Sequence, residues 1–559
     1  MAKKIISTAL ALLLCVFSVS LFVAAADNST YDYEGPLFGV VSADGEEYTS
    51  DNEDIISYNA DECALLAQNG GILIVQDGKV TKYGDDTDED NCSFYGINSV
   101  ALSKGADTIL YVADSSLTSA GTGANAVFST DNANALVYNT TIGSTFDNSR
   151  GLDATYSGRI LADTLTITTG GAHSAALATD RGGGEISLTN STLTTSGEGS
   201  PLIYSTGDVE VCSVTGSASG SRIAALEGNN TILIHHSELS STITAPAGSD
   251  PVADGIMIYR SNSGDAESST DEAATFQAVS SKLSSSIASG AMFYVTNTKA
   301  NILLKDTELN FDSGAAKLFI ISGNDVNNWG TAGSNGGSVT FTARGETLSG
   351  DILIDTISSL DMYLLNGTTY TGTMTLAKNE VNATPSDAPL IVNIDSTSVW
   401  TVSAGTQVSE LNVEEGASIV DSEGKEVKIV AGGEVVKEGT SDVTVTVTNA
   451  YRETVTRTDA NRVVTEFIDR SDFDDTYGVI TTFPKPAADD DGEAGTGQSG
   501  TSSDSSNNES TSLETFPMEE KKVDNPNSRS TRRAIIIIVA ALVVAGVAFA
   551  IHVKTDYLQ

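Results

Sequence analysis

Cysteine is scarce in this chain of 559 residues: there are four, and Cys15 lies inside an apolar N-terminal run. Cys63, Cys92 and Cys212 form no CxxC and no Cys/His cluster, which excludes a zinc ribbon and a disulfide-dense scaffold. One disulfide is open to them, Cys63 with Cys92 near the N-terminal end of the body, leaving Cys212 odd. Aromatic residues make up only 6% of the chain, too few for several large globular cores. Basic residues are few as well: 30 Lys and Arg face 74 Asp and Glu, for a net charge of −44. Such a chain repels phosphate backbones, which argues against nucleic acid as a partner.

What is present is Gly, Ser, Thr, Ala and Asn in quantity, with 40% hydrophobic residues, a composition suited to many short strands joined by tight turns. The two ends differ from the body. Lys3 and Lys4, an apolar stretch from Ile5 to Val23 and then Ala24, Ala25 and Ala26 read as a secretory signal peptide over residues 1–26. Residues 534–551 are 18 residues without a charge, about 27 Å of helix at 1.5 Å per residue, enough to span a bilayer. Residues 484–530 are acidic and rich in Ser and Gly, a solvated stalk, and residues 552–559 are a short tail. Arg529, Arg532 and Arg533 precede the apolar stretch and only Lys554 follows it, the reverse of the positive-inside bias. The signal outweighs that conflict, so the body is expected outside the cell, anchored to the membrane or cell surface by the C-terminal helix. Asn525-Pro526-Asn527-Ser528 before the apolar stretch resembles a degraded sortase sorting signal without its Thr-Gly.

Between these ends a repeat emerges: two alternating apolar residues, a polar pair, then an aliphatic residue, as in Leu110-Tyr111-Val112-Ala113-Asp114-Ser115-Ser116-Leu117. The closing residues Leu117, Ile142, Ile167 and Leu193 are 25, 25 and 26 residues apart, and Leu283 to Leu309 is again 26. A broken copy at Val209–Val214 and a step of 44 from Leu239 to Leu283 mark an altered coil and an insertion around Pro246–Thr275. A second apolar column lies ten residues further on at Val127, Leu152, Leu177, Ile203, Phe293 and Phe319, and a third includes Val112, Val137, Ala162, Leu188, Ile234 and Leu304. Three period-2 strands per turn with polar corners describe an all-β solenoid whose like residues stack on successive coils. Residues 55–440 would make roughly 15 coils and a rod on the order of 70 Å long, with 27–54 as an N-terminal extension or cap and 441–483 as a C-terminal β cap or small β module. Asp114, Asn139, Thr164, Asn190, His236, Ser280 and Asp306 recur three positions before each closing residue and are expected to form a corner ladder.

This pattern resembles the right-handed parallel β-helix proteins of bacterial surfaces, the adhesin-like and autotransporter-passenger groups. The resemblance covers residues 55–440, and Ile394-Asp395-Ser396-Thr397-Ser398-Val399-Trp400-Thr401-Val402 is similar to the final coils of such passengers. It implies a right-handed, three-faced parallel β-helix, without the β-barrel that would carry autotransport. Pectin-cleaving β-helix enzymes are characterised by an Asn-Thr-Asp, a paired Asp, a Gly-His-Gly and an Arg-Ile-Lys, and this chain lacks that set.

No residue set spells a reaction. Asp153, Asp180 and Asp208 are possible carboxylates for a glycoside-cleaving pair, but spacing alone does not choose among them. Among the histidines, His236 belongs to the corner ladder and His173 precedes a buried strand, so a Ser/His/Asp triad is not indicated. Asp85, Asp86, Asp88, Glu89 and Asp90 form the densest acid run, a weak Ca²⁺ candidate lacking the central Gly of a 12-residue loop and otherwise a solvated loop. Gly182-Gly183-Gly184 lies at a coil corner and is no phosphate loop.

If the second column points inward, residues one and three positions beyond it point outward. Phe128, Asp153, Asp180, Tyr204, Tyr294 and Thr296 would then lie on an exposed face of Thr, aromatics and acids able to bind a glycan or a surface protein. The opposite parity would put the aromatics inside. The expectation is a cell-surface adhesin-like protein needing no cofactor. A polysaccharide lyase or glycoside hydrolase is the second reading, and a passive surface-layer element the third.

Overall fold

The computed structural model describes residues 30–486 apart from 249, 267–271, 385 and 388. The expected signal peptide, nearly all of the stalk, the apolar C-terminal stretch and the tail lie outside the described residues. Among those described, no helix is long and apolar enough to cross a membrane.

The protein is all-β, built of stacked parallel strands in long sheets consistent with a β-helix. Each coil gives one strand to each of three faces. The first sheet has 13 strands, from Gly39–Asp44 to Met374–Ala377. The second runs from Glu47–Asp51 to Thr406–Val413 and on into the C-terminal strands. The third has ten strands, from Asp54–Ser57 to Glu308–Asn310, and four further strands from Thr347–Ser349 to Ser418–Val420 form a separate sheet. Parallel pairing therefore begins at Gly39 and reaches Thr444–Arg452, beyond both expected limits of the coils.

Register follows the apolar columns. Ile142 pairs with Leu117 and with Ile167, and Ile167 pairs with Leu193. Leu152 lies between Val127 and Leu177, and Ile203 follows. These residues fill one continuous interior in which nearly every member is fully buried. Phe276, Phe293, Phe319 and Phe341 form an aromatic run inside it, with centroids 5.8, 5.0 and 4.8 Å apart. The step from Leu239 to Leu283 is a single coil, since the two residues pair directly; its extra length is spent in loops on either side of the strand Asp254–Tyr259.

The corner ladder has a conformational basis. Asp114, Asn139, Thr164, Asn190, His236, Ser280 and Asp306 all have φ between 44° and 58°, the left-handed region that Asn and Asp tolerate best. Just beyond it a hydroxyl column takes up main-chain N–H groups: Leu165 donates to Ser191 Oγ, Val214 to Ser237 Oγ and Ser237 to Ser281 Oγ, at 2.8, 3.0 and 3.1 Å. Turning a corner leaves these amides outside the strand ladder, and a hydroxyl from the next coil satisfies them.

The C-terminal end is part strand and part irregular strap. Lys428–Ala431 and Glu434–Lys437 pair antiparallel and Thr444–Arg452 lies parallel to Thr406–Val413, covering the last coil. Val455, Val463, Val464 and Phe467 are in no strand; they belong to a strap that runs back over the outer face of the second sheet. Arg344 donates to Asn461 O, Gln277 and Val464 exchange two hydrogen bonds, and Glu210 accepts from Ile468 N. Arg470 donates to Ser187 O and Ala162 O at 2.6 and 2.9 Å, and helix α2, Ser471–Tyr477, seats Phe473 against Leu136 and Leu161.

Cys63, Cys92 and Cys212 are free and buried, and the disulfide open to Cys63 and Cys92 is not formed. Cys63 lies under the first sheet's outer apolar cluster with Phe128, while Cys92 sits on helix α1, Glu89–Tyr95, against Gly123 and Asp86.

Candidate functional site

The outer face of the first sheet carries the six expected binding residues, with the parity that puts the second column inside. It is not an open face. Phe128, Asp153 and Thr296 are fully buried, Asp180 and Tyr294 nearly so, and Tyr204 is partly buried. The correction has a physical cause: segments outside the repeat roof this sheet. Leu37 packs against the outer cluster of Cys63, Leu66, Leu102 and Phe128, and α1 lies across the next coils, with Phe94 O accepting from Thr155 Oγ1 and Cys92 O from Asn125 Nδ2. Asn324 Nδ2 donates to Thr296 Oγ1 further along.

The acid run helps to build that roof. Asp88 caps α1 by accepting from Asn91 N at 3.1 Å, Asp85 accepts from Thr122 N, and Glu89 reaches Asn148. Among the described residues no group of three or more His, Cys, Asp or Glu is placed to hold a metal ion.

Between α1 and the enlarged loops of the 44-residue step the roof leaves a cavity of about 590 Å³. Its origin lies in one sequence column. Two positions before the inward residue, successive coils carry Arg150, Ala175, Pro201, Arg222 and Asp254. Small Ala175 and Pro201 leave space, and at about 4.8 Å per coil the flanking arginines leave the backbone roughly 14 Å apart.

Each arginine is held by two carboxylates. Arg150 reaches Asp153 at 3.2 Å and Asp180 at 3.1 Å. Arg222 reaches Asp254 at 2.6 Å and also pairs with Asp250. Burial pushes Asp153, Asp180 and Asp254 up from the ordinary carboxyl range, while the neighbouring guanidinium pulls each back. Asp153 Oδ1 and Asp254 Oδ2 are buried with no hydrogen-bond partner.

Between the two triads Tyr204 donates to Glu227 Oε2 at 2.9 Å, and Ser261 N donates to Glu227 Oε1. Burial raises the Glu227 carboxyl, against hydrogen bonds from Ser261, Tyr259 and Tyr204 that lower it. Tyr259 packs on Trp329, centroids 4.6 Å apart. Arg181 lies 3.5 Å above the Phe94 ring and bonds Asp265 at 3.0 Å. His173 and Glu198 are exposed on the rim.

Of the expected site residues, Asp180 and Tyr204 line this cavity, Asp153 supports it by holding Arg150, and Phe128, Tyr294 and Thr296 take no part in its lining. Asp208, the third candidate carboxylate, begins a strand of the second sheet, on another face. Arg150, Arg222, Asp250, Asp254, Tyr259 and Asp265 were not anticipated. The signal was available in the two arginines: in a chain this poor in basic residues, both follow a serine and precede the inward column by two.

Such a cavity, polar walls with two tyrosines and rigid ion-paired donors, can order hydroxyl groups of a ligand against fixed partners. Comparison of the chain with protein-family models, with curated proteins and with solved structures finds no match in any of the three.

Proposed function

We propose that this is an exported, surface-anchored protein of right-handed β-helix architecture that binds a glycan in the roofed cavity on the side of its first sheet. The observation that carries this reading is the cavity of about 590 Å³, whose walls combine Tyr204 and Tyr259 with the Arg150 and Arg222 triads. Sugars present alternating apolar ring faces and hydroxyl edges, which aromatic rings and pre-paired charged groups recognise at low ordering cost. The expected signal and C-terminal apolar stretch supply export and tether. The right-handed sense rests on the strong bias of parallel crossovers. The adhesin-like role thus rests on one cavity in place of a long repetitive face.

A glycan array probed with the full chain in detergent micelles tests the reading. Binding to a defined subset of saccharides, absent from heat-denatured chain, is expected; signal no greater than the denatured control contradicts it.

A second reading, polysaccharide cleavage, draws on Asp180, a carboxyl at the cavity wall pushed up to about 8 by burial and so able to hold a proton at neutral pH. Against it, both Asp180 oxygens are occupied, one by Arg150 and one by the Arg181 main-chain N–H. Release of reducing ends or unsaturated uronates from a polysaccharide panel would favour the enzyme.

A further inference from the structure

Resting on the glycan reading, we infer that the cavity selects sugars bearing a protonated amine, that is, de-N-acetylated hexosamines, over N-acetylated and acidic sugars.

The argument starts from charge balance around a partly enclosed cavity. Among the described lining residues and their direct partners, three guanidinium groups, Arg150, Arg181 and Arg222, stand against six carboxyls, Asp153, Asp180, Asp250, Asp254, Asp265 and Glu227. Glu89, Asp90 and Glu198 add negative charge at the rim, and His173 is the one further lining group of basic type there. Arg150 and Arg222, each bridging two aspartates, leave one carboxyl charge in surplus apiece, and Glu227 accepts from the Tyr204 and Ser261 hydroxyls and from Ser261 N. Buried surplus charge is costly unless protons or a cation compensate it.

Burial raises Asp153, Asp180 and Asp254 against the pull of their arginines, the direction expected of carboxyls whose ionised form a further cation would stabilise. Behind the lining, Asp153 Oδ1 and Asp254 Oδ2 are buried without a hydrogen-bond partner, so the two arginines do not saturate their aspartates. An ammonium substituent on a sugar ring fits all of these features: it supplies positive charge and donors, while the ring and hydroxyls use the tyrosines and arginines. A uronate would add a further negative charge, and an acetamido group would neutralise the amine.

The test is calorimetric titration of the full chain in detergent micelles, at pH 6.5, with glucosamine oligomers, N-acetylglucosamine oligomers and galacturonate oligomers of equal length. The glucosamine oligomer is expected to bind at least tenfold more tightly than either of the others. Its binding should release protons, read from the dependence of the heat on buffer ionisation enthalpy, because the arriving amine displaces protons from the wall carboxyls. Asp250→Asn should reduce the preference, while the proton count on the unsubstituted protein is independent of whether that variant folds. N-acetylated or acidic oligomers binding as tightly, or glucosamine oligomer binding without proton release, overturns the inference and leaves the glycan reading standing. If the glucosamine oligomer does not bind, the amine preference falls and the array decides the glycan reading separately.

Discussion

The outer faces of the first and third sheets belong to the same coils, yet one is roofed and the other is bare. On the third sheet Thr166, Thr168, Thr192, Thr194 and Thr215 project into solvent, alternating with buried Ile167 and Leu193. On the first sheet the equivalent outward residues, from Phe128 through Asp180 to Thr296, lie beneath α1 and the long loops. The difference teaches that the repeat fixes which residues point outward, while segments outside the repeat decide which of those meet water. Chemistry collects where the two combine: a periodic floor supplies rigidity, and an aperiodic roof excludes solvent and raises the worth of each charge.

The largest effect expected from breaking this contrast is at the triads. Arg150→Met removes both ion pairs and leaves the buried Asp153 and Asp180 oxygens without their donor, a change that costs about 3–5 kcal/mol. Denaturant unfolding followed by a probe in these coils should show the loss; a midpoint unchanged from the parent would mean the roof is open to water. Next comes a neighbouring pair on the third sheet. Ile167→Ala opens the shared interior and is expected to cost about 2–5 kcal/mol, whereas Thr168→Ala, one residue on and exposed, should stay within about 0.5 kcal/mol. Equal losses at the two sites would refute the register.

The reach of the sequence follows the same division. The steps of 25 and 26 between Leu117, Ile142, Ile167 and Leu193 specify stacking directly, because one register slip would move a whole strand's side chains to the other face. The corner column was legible as polar and recurrent, and its left-handed backbone explains why Asn and Asp recur there. The roof was not legible. Helix α1 has seven residues in an acidic run that reads as a solvated loop. The strap over the second sheet, residues 453–486, is equally hidden, since Val455, Val463 and Val464 read as further strands. Its contacts, such as Arg470 with Ser187 and Ala162, join positions 283 and 308 residues apart and have no local signature.

A smaller effect sharpens the comparison through pH. The Asp180 carboxyl is raised to about 8 by burial, so its proton is retained in the folded chain after the unfolded chain has lost it near the ordinary value of 3.8. The stability linked to this group is therefore full below about pH 4 and is lost as pH rises towards 8. Asp180→Asn should flatten the fall in melting temperature between pH 5 and pH 8, measured by scanning calorimetry. An unaltered slope would mean that Asp180 stays ionised against Arg150 throughout.

The most direct test of the account sets the two faces against each other in binding. The dissociation constant of the strongest array ligand is measured for the full chain, for His173→Ala with Glu198→Ala at the rim of the cavity, and for Thr166→Ala with Thr168→Ala on the third sheet. The roofed-cavity account predicts at least tenfold weaker binding for the rim pair and a change within twofold for the threonine pair. Weaker binding confined to the threonine pair would contradict it and move the site to the bare face.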